Sequence, residues 1–312
     1  MCAHIPRGSR IWQVRCEGLI RLNDCELQPC KACLNGPCKR LGPTACIHKD
    51  DGGWLAEKFY ESDGYIMAAP VWSLAPASIV SVFRDRIFGY KADVAGWERI
   101  GTPGWAKNYK KHRPGALISV GGALTKNWTS LGMATLYTTT ISAQTNVVDQ
   151  MDVYGVSKHG EAAIREDYLL RARYLGENLG HAVLNPQIDW CGRWLGSDDE
   201  EACPSCHTSL MVAKPGRNYV ECAVCGRKGY VSLENGNLKY AWPEDPQNRL
   251  TMMGKYDHIR EIERHGMGRP ENYDELVREK SKKYKDWNDC VLTPPSKNVL
   301  VNQNCNSTIQ SN

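Results

Sequence analysis

No stretch of the sequence is apolar for long enough to cross a bilayer. The longest apolar runs, such as GYIMAAPVW at residues 64–72, fall far short of the ~20 residues a membrane helix needs. The N-terminus, MCAHIPRGSRIW, has no apolar core of signal-peptide length. A strong charge of either sign is also missing: 39 basic residues face 35 acidic ones, a net charge of +4. That excess is too small to argue for nucleic acid or a membrane surface as partner. There is no internal repeat, and no Ser–His–Asp or paired-carboxylate arrangement asks for hydrolytic chemistry. The expectation is a cytoplasmic protein with neither a nucleic-acid nor a membrane partner.

Cysteine, by contrast, is plentiful, with fourteen in 312 residues. In a reducing compartment that number points to metal or redox chemistry rather than disulfides. One group lies at residues 25–46 and a second at 203–225, with only Cys191 between them.

The intervening stretch predicts an α/β domain. Residues 64–72 form a continuous apolar run, as in a buried parallel strand. Residues 75–87 (APASIVSVFRDRI) place Ile79, Val82, Phe83 and Ile87 at helical spacing. Residues 115–122 (GALISVGG) predict a second buried strand ending in glycines. A helix over 127–142, a third strand over 146–155 and an amphipathic helix over 161–184 complete the pattern. Strand and helix alternate as in a doubly wound parallel sheet, which binds ligands at the carboxyl ends of its strands. The expected domains are 1–190 for this sheet with its cysteine loop, 198–235 for a small metal module, 236–290 for a charged helical extension and 291–312 for a disordered tail. Within the extension, residues 256–268 and 272–287 carry the helical patterns, and the tail is rich in Asn, Gln and Ser.

In the second group, Cys203-Pro-Ser-Cys206 and Cys222-Ala-Val-Cys225 stand fifteen residues apart. Each CxxC turn points two thiolates at one ion, and the gap allows a hairpin that brings the turns together. Four sulfurs then surround zinc, or iron in a rubredoxin-like cage. Pro204 and Gly226 suit such turns, and with no ligand position left open the site would be structural. Four free thiols are the bland alternative. The first group, Cys30-x2-Cys33-x4-Cys38-x7-Cys46, suits an iron–sulfur cluster. Zinc fits it less well for want of a second close CxxC. A register starting at Cys25 echoes a two-iron ferredoxin but has no downstream partner at a convincing distance.

The segments LIRLNDCELQPCKAC, CIHKDDG, DGYIMAAPVWSLAPASIVSVFRDR, ISVGGA and HGEAAIREDYLLRARYLGENLG resemble the iron–sulfur flavoproteins over residues 19–185. These belong to the flavodoxin-like NAD(P)H-dependent FMN reductases. The resemblance implies a flavodoxin-like, five-stranded sheet with FMN at its carboxyl edge. It implies that Ala69, Pro70, Val71 and Trp72 lie against the flavin ring, with Ser119, Val120, Gly121 and Gly122 in the next strand-end loop. It also implies a 4Fe-4S cluster on Cys30, Cys33, Cys38 and Cys46 near the flavin. The plainer readings are a packing aromatic for Trp72 and an ordinary turn for the glycines. Asp85 and Arg86 read as a solvated pair or a subunit contact, and His48 and His159 as surface residues.

Two departures stand out. Gly36 occupies the position of the family's third cysteine, with Cys38 displaced by two. Only eighteen residues precede LIRLND, so the strand and phosphate loop that open the family fold are expected to be shortened or rearranged, with IPRGSR as a possible anion nest. The function expected is an FMN-dependent oxidoreductase, a homo-oligomer taking electrons from NAD(P)H or a ferredoxin-like donor. A non-enzymatic electron carrier, or a zinc-ribbon interaction protein with a vestigial flavin site, are the alternatives.

Overall fold

The computed structural model describes residues 18–33, 36–42, 44–88, 92–185, 194–197, 199 and 202–284. The N-terminal IPRGSR, the break after Asn185 and the tail 291–312 lie outside them. The chain divides into two units, Met1–Ile259 and Arg260–Asn312. No helix among the described residues is long and apolar enough to cross a membrane.

The first unit opens with two helices, α1 (Pro37–Leu41) and α2 (Gly52–Glu61). Strand β1 (Tyr65–Trp72) turns back into the two-residue β2 (Ala75–Pro76), and α3 (Ser78–Phe83) follows. Then come α4 (Val94–Ile100), β3 (Pro114–Val120), α5 (Gly132–Ile141), β4 (Asn146–Val153) and α6 (Glu166–Leu184). The strand order is β2-β1-β3-β4, with β1, β3 and β4 parallel and β2 antiparallel to β1. The described residues therefore supply four strands, not the five implied by the resemblance. The last predicted helix also starts later, at Glu166, because residues Glu161–Ile164 form a separate 3-10 turn behind the left-handed Gly160.

Helices cover both faces. On one, Met67, Ala69 and Leu117 of the sheet pack with Val80, Phe83, Leu136 and Tyr137. On the other, Ala116, Met151 and Val153 pack with Leu175 of α6. β3 is buried throughout its first four residues, as its apolar run predicts. β1 is not: Ile66, Ala68 and Pro70 alternate outward, because among the described residues no further parallel strand flanks β1 and α6 packs chiefly over β3 and β4. Gly132 lets α5 start close against the sheet. A Cβ there would meet Ser119 Oγ and, at 2.8 Å, Val71 Cγ2.

A second, antiparallel sheet runs in sequence order through β5 (Met211–Ala213), β6 (Tyr219–Cys222), β7 (Lys228–Glu234) and β8 (Asn237–Ala241). It extends past residue 235 to Ala241. Its four cysteines, Cys203, Cys206, Cys222 and Cys225, are fully buried in the same apolar cluster as Leu136 and Tyr137. The metal module thus shares its core with the α/β sheet. Helix α7 (Met252–Met267) begins in this unit, and α8 (Tyr273–Lys282) belongs to the second.

Candidate flavin edge and cysteine sites

The carboxyl ends of β1 and β3 are neighbours, with Ala69 opposite Ser119 and Pro70 opposite Val120. The AAPVW and SVGG stretches therefore lie side by side at one edge of one sheet. After Trp72 the chain makes a two-residue turn in which Ser73 (φ 50°) and Leu74 (φ 74°) both adopt left-handed backbone, and Ala75 pairs back with Trp72. Such a turn suits Asn-Gly. Ser-Leu there stores strain of the order of 1–3 kcal/mol per residue. Trp72 is 63% exposed, so the indole is not packed into the core of this chain.

Main-chain hydrogen bonds stitch the strand-end loops together. Leu131 N donates to Leu74 O (3.1 Å) and Gly121 N to Val153 O (2.8 Å). Val156 N donates to Gly121 O (3.1 Å) and Gly155 N to Ala123 O (2.9 Å). Gly121 is required, since a Cβ would overlap Thr129 Cγ2. Its N–H is used within the loop, while Gly122 is exposed. Around this edge Trp72, Leu74, Leu124, Trp128 and Leu131 all present exposed apolar side chains. Two groups that the sequence did not single out stand at the end of β4. Burial pushes the Asp152 carboxyl up, against Ser119, Lys126 and Tyr154. Burial also pushes the Tyr154 hydroxyl up to about 12. The edge fits a flat, largely apolar cofactor ring: it offers an exposed indole, a strained but fixed turn and a glycine that packs without a side chain.

The N-terminal cysteines gather elsewhere. Cys30, Cys33, Cys38 and Cys46 line one pocket together with His48, Asp85 and Arg86. Gly36 sits where the family pattern places a cysteine because its turn closes on Cys33: Gly36 N donates to Cys33 O (3.0 Å), and a Cβ would stand 2.9 Å from Cys33 Cβ. Arg86 is neither solvated nor at the surface. It is 1% exposed and lies in a widened turn, Arg84–Phe88, that continues α3 and aims its side chain inward. Its guanidinium grips Asp50 through two 2.6 Å bonds, Nη1 to Oδ2 and Nη2 to Oδ1, and Nη2 also reaches Cys46 Sγ at 3.7 Å. Asp85 instead pairs with Arg84 near the surface. His48 Nε2 and Arg86 Nε are buried without hydrogen-bond partners, while His159 is exposed as expected. Four thiols thus line one pocket with two buried, unpartnered nitrogens, a donor set of the kind thiolate-ligated groups use, while among the described residues only the second cysteine set brings its sulfurs within 4.8 Å of one another.

The Arg86 hydrogen bonds, outweighing burial, hold the Asp50 carboxyl well below the usual carboxylate range. A depressed carboxylate stabilises the fold above its unfolded pKa, about 3.9, and loses that contribution as pH falls. Stability should therefore decline below about pH 4. In urea melts at neutral pH and near pH 3, Asp50→Asn should show a smaller difference than the natural chain; an unchanged difference would remove Asp50 as a cause of acid sensitivity.

The second cysteine group is built with local two-fold symmetry. Cys203 O accepts from His207 N (2.7 Å) and Cys222 O from Gly226 N (2.9 Å). Cys203 N donates to Thr208 O (3.0 Å) and Cys222 N to Arg227 O (2.9 Å). The fourth residue after each leading cysteine is left-handed, His207 (φ 52°) and Gly226 (φ 80°). The sequence shows the glycine; the histidine in the matching position was not legible. All four sulfurs lie within 4.8 Å of one another, with Cys203–Cys225 at 3.4 Å and Cys206–Cys222 at 3.3 Å. Bonds of about 2.3 Å to a tetrahedral zinc give sulfur–sulfur edges of about 3.8 Å, so the cage fits one ion. Hydrogen bonding to Cys203, then to Cys206 and Cys225, pulls Cys222 well below the ordinary thiol range, and burial pushes Cys206 well above it. A central cation would deprotonate all four.

Fold and sites define a flavodoxin-like α/β protein whose added antiparallel sheet carries a four-cysteine cluster able to hold a metal. No protein-family model matches the sequence. The chain is distantly related to flavone synthase cfoJ of Aspergillus candidus, 26% identical over 271 residues that cover 84% of this chain and 80% of that protein. A solved structure described as a flavone reductase shares the fold with a TM-score of 0.65, over 88% of both chains at 18% identity.

Proposed function

We propose that the chain is an FMN-dependent oxidoreductase that moves a hydride between bound flavin and a flat, flavone-like aromatic acceptor, supplied with electrons by NAD(P)H or a ferredoxin-like donor. The observation that carries this reading is the carboxyl edge itself: adjacent loops after β1 and β3, a strained turn that exposes Trp72, and an apolar rim, on a fold shared with a flavone reductase. FMN bound there supplies reversible hydride acceptance, together with one-electron chemistry. One relative is named for making a flavone and the other for reducing one, and a flavin can serve either direction. Ala69, Pro70, Val71 and Trp72 would flank the ring from β1, with Ser119, Val120, Gly121 and Gly122 beside it from β3. Trp72 and Trp128 offer stacking faces. Asp152, its carboxyl raised by burial, can hold and release a proton near the strand ends.

Cys30, Cys33, Cys38 and Cys46 would hold a 4Fe-4S cluster, and Cys203, Cys206, Cys222 and Cys225 a structural zinc. Helix α3 begins where Ala77 N meets Pro70 O (3.0 Å), and Arg86 follows Ser78 by eight residues. Arg86 lines the cysteine pocket, so α3 and the widened turn that continues it join the carboxyl edge of the sheet to that pocket. A homo-oligomer is part of the same reading, since five large apolar side chains around the edge are exposed in one copy.

Trp72→Ala should weaken FMN binding by about 0.5–1.5 kcal/mol, the contribution of an aromatic pair beyond burial. Fluorescence titration with FMN checks it. An affinity equal to that of the natural chain would move the flavin away from this turn.

A further inference from the structure

We infer that Arg86 is a positioning residue of the cysteine pocket, one that closes the loop carrying Cys30 and Cys46 and sets the electron affinity of a cluster held there. The inference rests on the iron–sulfur reading proposed above.

Arg86 joins the two ends of the cysteine run. Nη1 donates to Gln28 O (2.6 Å), two residues before Cys30, and to Asp50 Oδ2 (2.6 Å), four residues after Cys46. Asp50 Oδ2 in turn accepts from Gln28 N (2.8 Å), and Asp51 Oδ2 accepts from Glu26 N (2.7 Å). Asp51 N donates back to Glu26 O (3.0 Å). The chain around the guanidinium is shaped to admit it: a Cβ on Gly52 would overlap Arg86 Nη2 and stand 3.1 Å from Asp50 Oδ1. A surface ion pair would need none of this. The planar fork is what allows one side chain to serve a carbonyl, a carboxylate and a sulfur together.

The remaining contact, Nη2 to Cys46 Sγ, gives the clamp a redox consequence. Reducing a thiolate-bound cluster adds one negative charge. An N–H donor and a cation beside a ligand sulfur favour that reduced state, and hydrogen bonds to the sulfurs are a known lever on cluster potential. Asp50 opposes the cation. The two members of one ion pair should therefore move the potential in opposite directions. A clamp with only a structural role would not do so.

The test uses the full chain, purified anaerobically, with iron and sulfide assayed and the midpoint potential taken by mediated dithionite titration followed by absorbance and paramagnetic resonance. Asp50→Asn leaves the cation unopposed and should raise the midpoint. Arg86→Lys keeps a cation for Asp50 but lacks the fork that reaches Cys46, and should lower it. Each shift should be about threefold in the reduced-to-oxidised ratio at fixed potential, or about 28 mV at 59 mV per tenfold for one electron. A folded Arg86→Lys protein that loses its iron supports the loop-closing role, and Asp50→Asn then decides the redox part. Variants that retain iron and show no shift, or shifts in the same direction, overturn the inference and leave the cluster reading standing. Iron-free natural protein overturns the cluster reading itself.

Discussion

Replacing Cys222 by Ala is expected to unfold more than the small antiparallel sheet. Cys222 and its three partners are fully buried and lie in one apolar cluster with Leu136 and Tyr137 of α5, which packs on β3 and β1. The contact is close enough that the four cysteines add to burial in pushing the Tyr137 hydroxyl well above its ordinary range. Further bonds join the module to the rest of the unit: Gln150 of β4 donates to His207 O, and Arg249 N to Cys225 O (2.8 Å). A structural zinc on thiolates contributes about 10–16 kcal/mol of apparent free energy. A whole domain is stable by only about 5–15 kcal/mol. An ion held there would contribute on the same scale as the stability of a whole domain, so a chain unable to bind it is expected to lose cooperative folding of the shared core. Near-ultraviolet dichroism and thermal melting of Cys222→Ala should show the cooperative transition of the first unit lost or greatly lowered. A retained α/β transition with only the module unfolded would show that the shared core does not couple them.

The second large effect is expected at Arg86. Its side chain and that of Asp50 are 1% and 4% exposed. Arg86→Met leaves the carboxylate buried without its partner, which costs about 3–5 kcal/mol. Adding Asp50→Asn to that variant removes the orphaned charge and should recover part of the loss. The neighbouring pair Arg84–Asp85 is partly exposed, at 33% and 50%, so Arg84→Met should change stability by no more than about 1 kcal/mol. Urea melts of these variants separate the cases. Similar small losses at both arginines would mean that the Arg86 pair is no more than a surface contact.

The two adjacent arginines also show where the sequence stops being informative. Periodicity reveals the strands at Tyr65–Trp72 and Pro114–Val120 and the helix between them, because burial repeats at fixed intervals. It does not reveal Arg86 as buried. The widened turn at Arg84–Phe88 changes the helical phase by one residue, and charge patterning gives no sign of that. The four-cysteine cage was legible to the residue, since CxxC spacing follows directly from tetrahedral coordination. Its place inside the main core was not, because Leu136 and Tyr137 lie far from it in sequence. The carboxyl edge of the sheet was legible as two neighbouring strand ends. The left-handed Ser73 and Leu74 were not, since neither residue signals positive φ and tertiary packing imposes it.

Hydride exchange at the carboxyl edge of the parallel sheet is the step on which the proposed function turns. The most direct measurement is anaerobic mixing of the FMN-loaded full chain with NADH or NADPH, and then with a flavone, following flavin absorbance and analysing the product by mass. Bound flavin should be bleached by one of the two pyridine nucleotides. The flavone should then restore the colour with a gain of two mass units, and Trp72→Ala should slow both steps. Flavin that binds but is neither reduced by pyridine nucleotide nor reoxidised by the flavone would contradict it.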